Sequence, residues 1–328
     1  MLVLLSVLLV GGSVFAEVKY QVTDLGAVRA TAINNNGKVV GGGYDGGNAF
    51  VWDEINGFVS LGEGYARDIN DLNDVAGSSY WKQAVAGSGI YSTIALGGNF
   101  TANALNDHGQ IVGNIGSFDD SHAGLWENGV LMDLGTLHGN GDYYWSYATG
   151  VNNSGKIVGT SGVALGNSYT VMWDNQQIYD LGSGDAFGGA GDINESGYAC
   201  GTYEFQAAIW KGIGDVVVLD KLSGANAENC AYAINKYDVV VGGGTLSLSR
   251  DAFVWSQEDG IQNLNDLIDA GGVIELARAY DINDSGQILV EGYIGNEEHS
   301  YLLTPVPEPG TVLLLGIGFG FISRLKKR

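Results

Sequence analysis

The chain has 328 residues, of which 53 are glycine, 3 are proline and 10% are aromatic, with a formal net charge of −22. That length can bury a sizeable core, and the acidity argues against nucleic-acid binding, which needs a cationic surface. Glycine recurs at regular spacing among apolar residues, which argues against a disordered chain and suits an all-β, turn-rich fold.

Residues 1–16 are almost entirely apolar and end in Val14-Phe15-Ala16. We read them as a secretory signal peptide cut before Glu17, although the Lys or Arg usual at the start of such a segment is missing. The competing reading is a buried strand or helix.

From residue 17 to residue 304 a short phrase returns seven times. Its asparagine stands at Asn34, Asn70, Asn106, Asn152, Asn194, Asn235 and Asn283, with spacings of 36, 36, 46, 42, 41 and 48 residues. Periods of this size mark repeat architectures in which each copy is one supersecondary unit. The slot three residues after each asparagine holds Gly37, Asn73, Gly109, Gly155, Gly197, Asp238 and Gly286. Glycine, asparagine and aspartate are the residues that best tolerate a left-handed backbone, so this slot demands positive φ, as a tight hairpin does. The repeated asparagine suits the same turn, because its side chain can hydrogen-bond backbone two residues on.

A second phrase follows each hairpin. It reads Asn48-Ala49-Phe50-Val51-Trp52 in the first copy and recurs up to Trp126, Trp173, Trp210 and Trp255. Its second position is small in every copy, which predicts close approach of neighbouring units. A third phrase, Asp24-Leu25-Gly26, recurs at 133–135 and 180–182. Each repeat thus offers four short apolar runs separated by turn residues, which predicts four strands. Four strands per roughly 40 residues match a propeller blade, and seven copies fit a closed seven-bladed β-propeller. The Asp-Leu-Gly run either starts its own blade or finishes the previous one. In the second case the strand near Val22–Leu25 latches onto the last blade.

The Asp-Leu-Gly, Ile-Asn-x-x-Gly-x-Val-Val-Gly and His-Ala-Phe-x-Trp phrases resemble the bacterial extracellular HAF repeats over roughly residues 22–304. The resemblance implies a secreted repeat protein and no particular reaction.

Residues 305–328 form a third region. Val306-Pro307-Glu308-Pro309 leads into an apolar run over 311–323 and then Arg324-Leu325-Lys326-Lys327-Arg328. As a helix the apolar run rises only about 20 Å, short of the roughly 30 Å hydrocarbon core. Tilt, bilayer thinning and the basic cluster can still seat it as a short transmembrane helix. Arg324, Lys326, Lys327 and Arg328 mark its cytoplasmic end. This order closely resembles the PEP-CTERM sorting tail, with Pro307, Glu308 and Pro309 as the sorting motif. The resemblance implies exosortase and signal peptidase as processing partners and contact with the membrane only through the tail before cleavage. It also implies delivery to the cell surface or extracellular matrix of a Gram-negative bacterium. Without the tail and leader the body holds 11 Lys+Arg against 36 Asp+Glu, so the acidity belongs to the repeats.

No catalytic motif stands out, and we assign no catalytic residue and no metal ligand. His122 and His299 share one variable repeat slot, which reads as a solvated strand start. Asp281-Ile282-Asn283-Asp284-Ser285-Gly286 mimics the opening of a calcium loop, but the twelfth position is Gly292 where such a loop wants Glu. The phrase is better read as the repeat's own turn. No cofactor is expected; calcium at other acidic loops stays open as an alternative. Cys200 fills an apolar strand slot and reads as a buried thiol, while export would also permit a bridge to Cys230.

The repeat tryptophans read as packing first. Better ligand candidates lie outside the repeat frame, in the insertion 137–147, where Tyr143, Tyr144, Trp145 and Tyr147 gather in an expected loop. Tyr80 and Trp81 are a weaker second candidate. The reading is therefore a non-enzymatic binding or structural module, with exopolysaccharide or an envelope protein as its expected partner. The alternative is a glycan-active propeller hydrolase or lyase.

Overall fold

The computed structural model describes residues 19–306, apart from residues 44–46, 78, 86–88, 98, 117–120, 140–143, 164–165, 183–187, 223–227, 245–250 and 270. The leader 1–16 and the whole sorting motif with its basic cluster lie outside the described residues, as do the expected transmembrane helix and Tyr143. Among the described residues no helix is long and apolar enough to cross a membrane.

Among the described residues every long element is a strand. The repeats fold as four-stranded antiparallel units, which we number 1 to 7 in chain order. Unit 1 contains strands Arg29–Ile33, Val39–Gly42, Ala49–Asp53 and Gly57–Gly62. Units 2 to 6 follow over residues 66–95, 100–135, 144–180, 189–218 and 229–263. Unit 7 takes three strands from residues 274–305 and its fourth from the other end of the chain. Tyr20–Gly26 pairs antiparallel with Glu297–Pro305, from Tyr20↔Pro305 to Gly26↔Ser300. The Asp-Leu-Gly run therefore finishes a unit, and its first copy latches onto the last one. The sheets stay separate along their ladders except at units 6 and 7, which share the single pair Gly243↔Arg278.

The turn chemistry explains the hairpin inside each unit. All seven turn-slot residues adopt positive φ, including Asn73 at 67° and Asp238 at 62°. In unit 4, Asn152 Oδ1 accepts from the backbone N–H groups of Ser154 and Lys156, at 3.1 and 3.0 Å, which satisfies the turn from inside.

The core is divided among the interfaces between neighbouring units rather than gathered in one centre. Val112 and Ala123 of unit 3 pack against Ala148, Ile157, Val171 and Trp173 of unit 4. Leu289 and Leu302 of unit 7 pack in the same way against Ala30, Ile33, Val39 and Phe50 of unit 1, with Leu25 of the latch strand beside them. The small slot of the second phrase sits inside these layers: Ala49, Ala123, Thr170, Ala207 and Ala252 have no exposed surface. A larger side chain there would push two sheets apart. Cys200 and Cys230 are both free thiols, one buried and one half-buried. The Sγ of Cys230 accepts from the Thr202 hydroxyl at 2.9 Å.

Candidate functional site

The seven repeat asparagines meet at one end of the structure, around a funnel of about 190 Å³. Each is buried. Each side-chain amide donates to the main-chain carbonyl of the asparagine in the next unit: Asn34 to Asn70 at 2.8 Å, Asn70 to Asn106, Asn106 to Asn152, Asn152 to Asn194, Asn194 to Asn235, and Asn235 to Asn283 at 3.3 Å. Asn283 then donates back to Asn34 at 3.0 Å. One residue therefore does two jobs, its Oδ1 tying its own turn and its Nδ2 tying the neighbouring unit.

A second relay runs through the next residue of each copy. The backbone N–H of Asn35 donates to Asp71 Oδ1, Asp71 to Asp107, Asp107 to Asn153, Asn153 to Glu195, Lys236 to Asp284, and Asp284 to Asn35. Lys236 has no acceptor to offer Glu195; its ammonium instead pairs with Asp284 at 3.2 Å.

Three aspartates, Asp68, Asp192 and Asp281, stand two positions before the asparagine, where units 1, 3, 4 and 6 carry Ala32, Ala104, Gly150 and Ala233. Each carboxylate spans two units. Asp68 accepts from Ile69 N–H in its own unit and Leu105 N–H in the next, both at 2.8 Å. Asp192 does so with Ile193 and Ile234, and Asp281 with Ile282 and Ile33. All three line the funnel and are half-buried. Burial pushes Asp68 up to about 6 and Asp192 up to about 7, against the N–H groups that favour the charged form. Burial also drives Asp281 well above its ordinary value, and repulsion from Asp192 and Asp68 adds to the rise. In the sequence these three are inconspicuous, because their slot alternates with Ala and Gly. The telling signal was Asp before Ile-Asn in three of seven copies.

Among the described residues no group of three or more His, Cys, Asp or Glu side chains is placed to hold a metal ion. The two histidines of the shared slot face the aspartate of the third phrase across the outer strands: His122 Nδ1 lies 2.8 Å from Asp133, and His299 Nδ1 2.9 Å from Asp24.

The aromatic insertion differs from the expected loop. Tyr144, Trp145 and Tyr147 begin the strand Tyr144–Val151, the inner strand of unit 4. Alternation decides this, since Ser146 and Ala148 on either side of Tyr147 are fully buried, as an extended backbone requires. Trp145 lies over Gly162, where an added Cβ would stand 2.3 Å from its ring, and 5.1 Å from the Tyr147 ring. His138 sits between Tyr144 at 6.0 Å and Tyr169 at 4.9 Å. Tyr144, Trp145 and Tyr147 remain half-buried, so the cluster presents partial aromatic faces. The structure does not bring this cluster and the asparagine ring together, for they lie at opposite ends of the inner strand of unit 4. Trp81, the weaker candidate, packs against Trp126 at 5.4 Å.

Residues 305–328 match the PEP-CTERM protein-sorting motif. This motif is the recognition signal for exosortase processing, and it marks the chain as exported and sorted to the surface through its C-terminal tail. No curated protein sequence matches the chain. Among solved structures the chain is similar to one titled "Streptogramin B lyase structure", with a TM-score of 0.56 and 11% identity over 89% of this chain and 99% of that one. It is also similar to "YCF48 bound to D1 peptide", with a TM-score of 0.51 and 11% identity over 88% and 96%. At that identity the likeness concerns the fold alone, which is all-β and propeller-like.

Proposed function

We propose that the chain is an exported, surface- or matrix-associated module that works by binding or by structure, without catalysis. The sorting motif at 305–328 is the observation that carries the exported, surface-sorted part of this reading. We further propose that the body is a closed seven-bladed β-propeller of HAF-like repeats. The asparagine relay returning from Asn283 to Asn34 and the core shared by units 7 and 1 support closure.

The use of the funnel carboxylates supports a non-enzymatic role. Both oxygens of Asp68, Asp192 and Asp281 are engaged by backbone N–H groups, whereas a general acid or base must reach a substrate proton. A rigid ring with half-buried aromatics at one end suits recognition of exopolysaccharide or of an envelope protein.

The test is a pull-down of the host's own polysaccharide and envelope fractions with the full chain, beside a Tyr143→Ala/Tyr144→Ala variant. Retention by the wild type and its loss in the variant are expected. No retention from either fraction contradicts the reading. Release of new reducing ends from the polysaccharide moves the assignment to a glycan-active enzyme.

A further inference from the structure

We infer that the seam between units 7 and 1 holds a second site, a cleft for a neutral, hydroxyl-rich oligosaccharide. This deepens the binding role proposed above and rests on it. The seam is the one place where a unit is completed by the far end of the chain, and beside it lies a cleft of about 530 Å³. That falls within the range of small-ligand pockets. One wall comes from the latch strand and its partner, with Gln21, Thr23 and Thr304. The other comes from unit 1, with Trp52, Asp53 and Glu54.

Trp52 differs here from two of the repeat tryptophans, though not from Trp255, which is likewise half-buried and, among the described residues, without an indole N–H hydrogen bond. Its counterparts Trp173 and Trp210 are 2% and 1% exposed, and their indole N–H groups donate to Leu134 O and Gly182 O of the preceding unit, at 3.1 and 3.2 Å. The unit preceding Trp52 ends in the latch strand. Trp52 is only half-buried, and among the described residues its indole N–H makes no hydrogen bond. The same holds for the side chains of Gln21, Thr23 and Glu54. The cleft therefore offers an aromatic ring with a free N–H, an amide, a hydroxyl and a carboxylate, all unspent.

The chemistry selects the ligand class. Sugar hydroxyls both donate and accept, as the amide, hydroxyl and carboxylate around them require, and a ring's C–H face can lie on an indole. Asp53 is already committed. It accepts from Lys38 Nζ at 2.7 Å and from the Ile55 and Asn56 N–H groups. Burial would raise its pKa, but the hydrogen bonds from Lys38 and Asn56 outweigh that and hold the carboxyl well below its ordinary value. With Lys38 neutralised, Glu54 leaves the cleft negative, which disfavours polyanions. A peptide that added to a sheet edge would use a row of backbone groups; the unspent groups in the cleft belong to side chains.

The experiment uses saturation-transfer NMR on the full chain with four probes: maltotriose, cellotriose, trigalacturonate and an octapeptide of alternating Ser and Val. The cleft variant is Gln21→Ala/Glu54→Ala, two exposed positions without hydrogen-bond partners, checked for an unchanged melting temperature. The expected result is binding of at least one neutral trisaccharide, weakened 10-fold or more in the cleft variant, with trigalacturonate weaker than the neutral sugars. Silence from all probes overturns the site. Peptide binding lost in the variant, without sugar binding, overturns the ligand class. Sugar binding that survives the cleft variant but is lost in Tyr143→Ala/Tyr144→Ala overturns the cleft and leaves the broader binding role standing.

Discussion

The side-chain amide of Asn283 donates to the main-chain carbonyl of Asn34 at 3.0 Å, across 249 positions of sequence. That bond joins the last unit to the first by the same contact that joins every other neighbouring pair. A residue needed for a local hairpin thereby becomes a long-range fastener.

Removing one fastener should be costly. Asn152→Ala deletes the acceptor for the partly buried Ser154 and Lys156 N–H groups and the donor of the buried bond to Asn194 O. At about 0.5–1.5 kcal/mol per hydrogen bond, a loss of about 2–4 kcal/mol is expected. Urea unfolding measures it. A loss below about 0.5 kcal/mol would show that the ring does not hold the units together.

The three spanning aspartates set a pH dependence with a definite sign. Asp68 and Asp192 rise from an ordinary value near 3.8 to about 6 and about 7 on folding, chiefly through burial. The folded state therefore binds protons more tightly, and the stability this gives is fully present below about pH 4 and lost as pH rises through about 7. Melting temperature should fall between pH 5 and pH 8, and Asp192→Asn should flatten that fall. A higher melting temperature at pH 8 than at pH 5 would refute the assignment.

The latch strand should matter far more than its position at the edge of unit 7 implies. Leu25 is buried in the core shared by units 7 and 1. Leu25→Ala is expected to cost about 2–5 kcal/mol, as for other buried leucines. Ile55→Ala, at a site 93% exposed, should change stability by less than about 0.5 kcal/mol. Equal effects of the two substitutions in chemical denaturation would remove the latch from the account.

Gly155 separates backbone strain from packing. Its φ is +80°, and an added Cβ would meet nothing nearer than Gln110 Oε1 at 3.6 Å. Gly155→Ala should therefore cost about 1–2 kcal/mol through the backbone alone, and Gly155→Asn clearly less, as Asn73 in unit 2 shows. Thermal melts of the two variants check the order.

What could be read in the sequence was whatever repeats with fixed spacing. The Asn34-type turn, its positive-φ slot and the small slot at Ala49 recur in every copy, because local sterics leave few residue choices there. The reach of Asn34 Nδ2 to Asn70 O stayed hidden, since a carbonyl carries no residue identity. Asp68, Asp192 and Asp281 were hidden differently. The slot holds Ala or Gly elsewhere, since one carboxylate serves the N–H groups of two units. The phase of Asp24-Leu25-Gly26 was undecidable from spacing, because both phases give four strands per unit. Tyr144 to Tyr147 read as a loop through their place in an insertion, but the burial of Ser146 and Ala148 makes them a strand.

The most direct test of the account is the mass of the mature C-terminus in the native host, after separation of released, outer-surface and inner-membrane material. Surface or released protein should end near Pro307–Pro309, with the segment through Arg328 removed. Released protein that still carries Arg328 would contradict it.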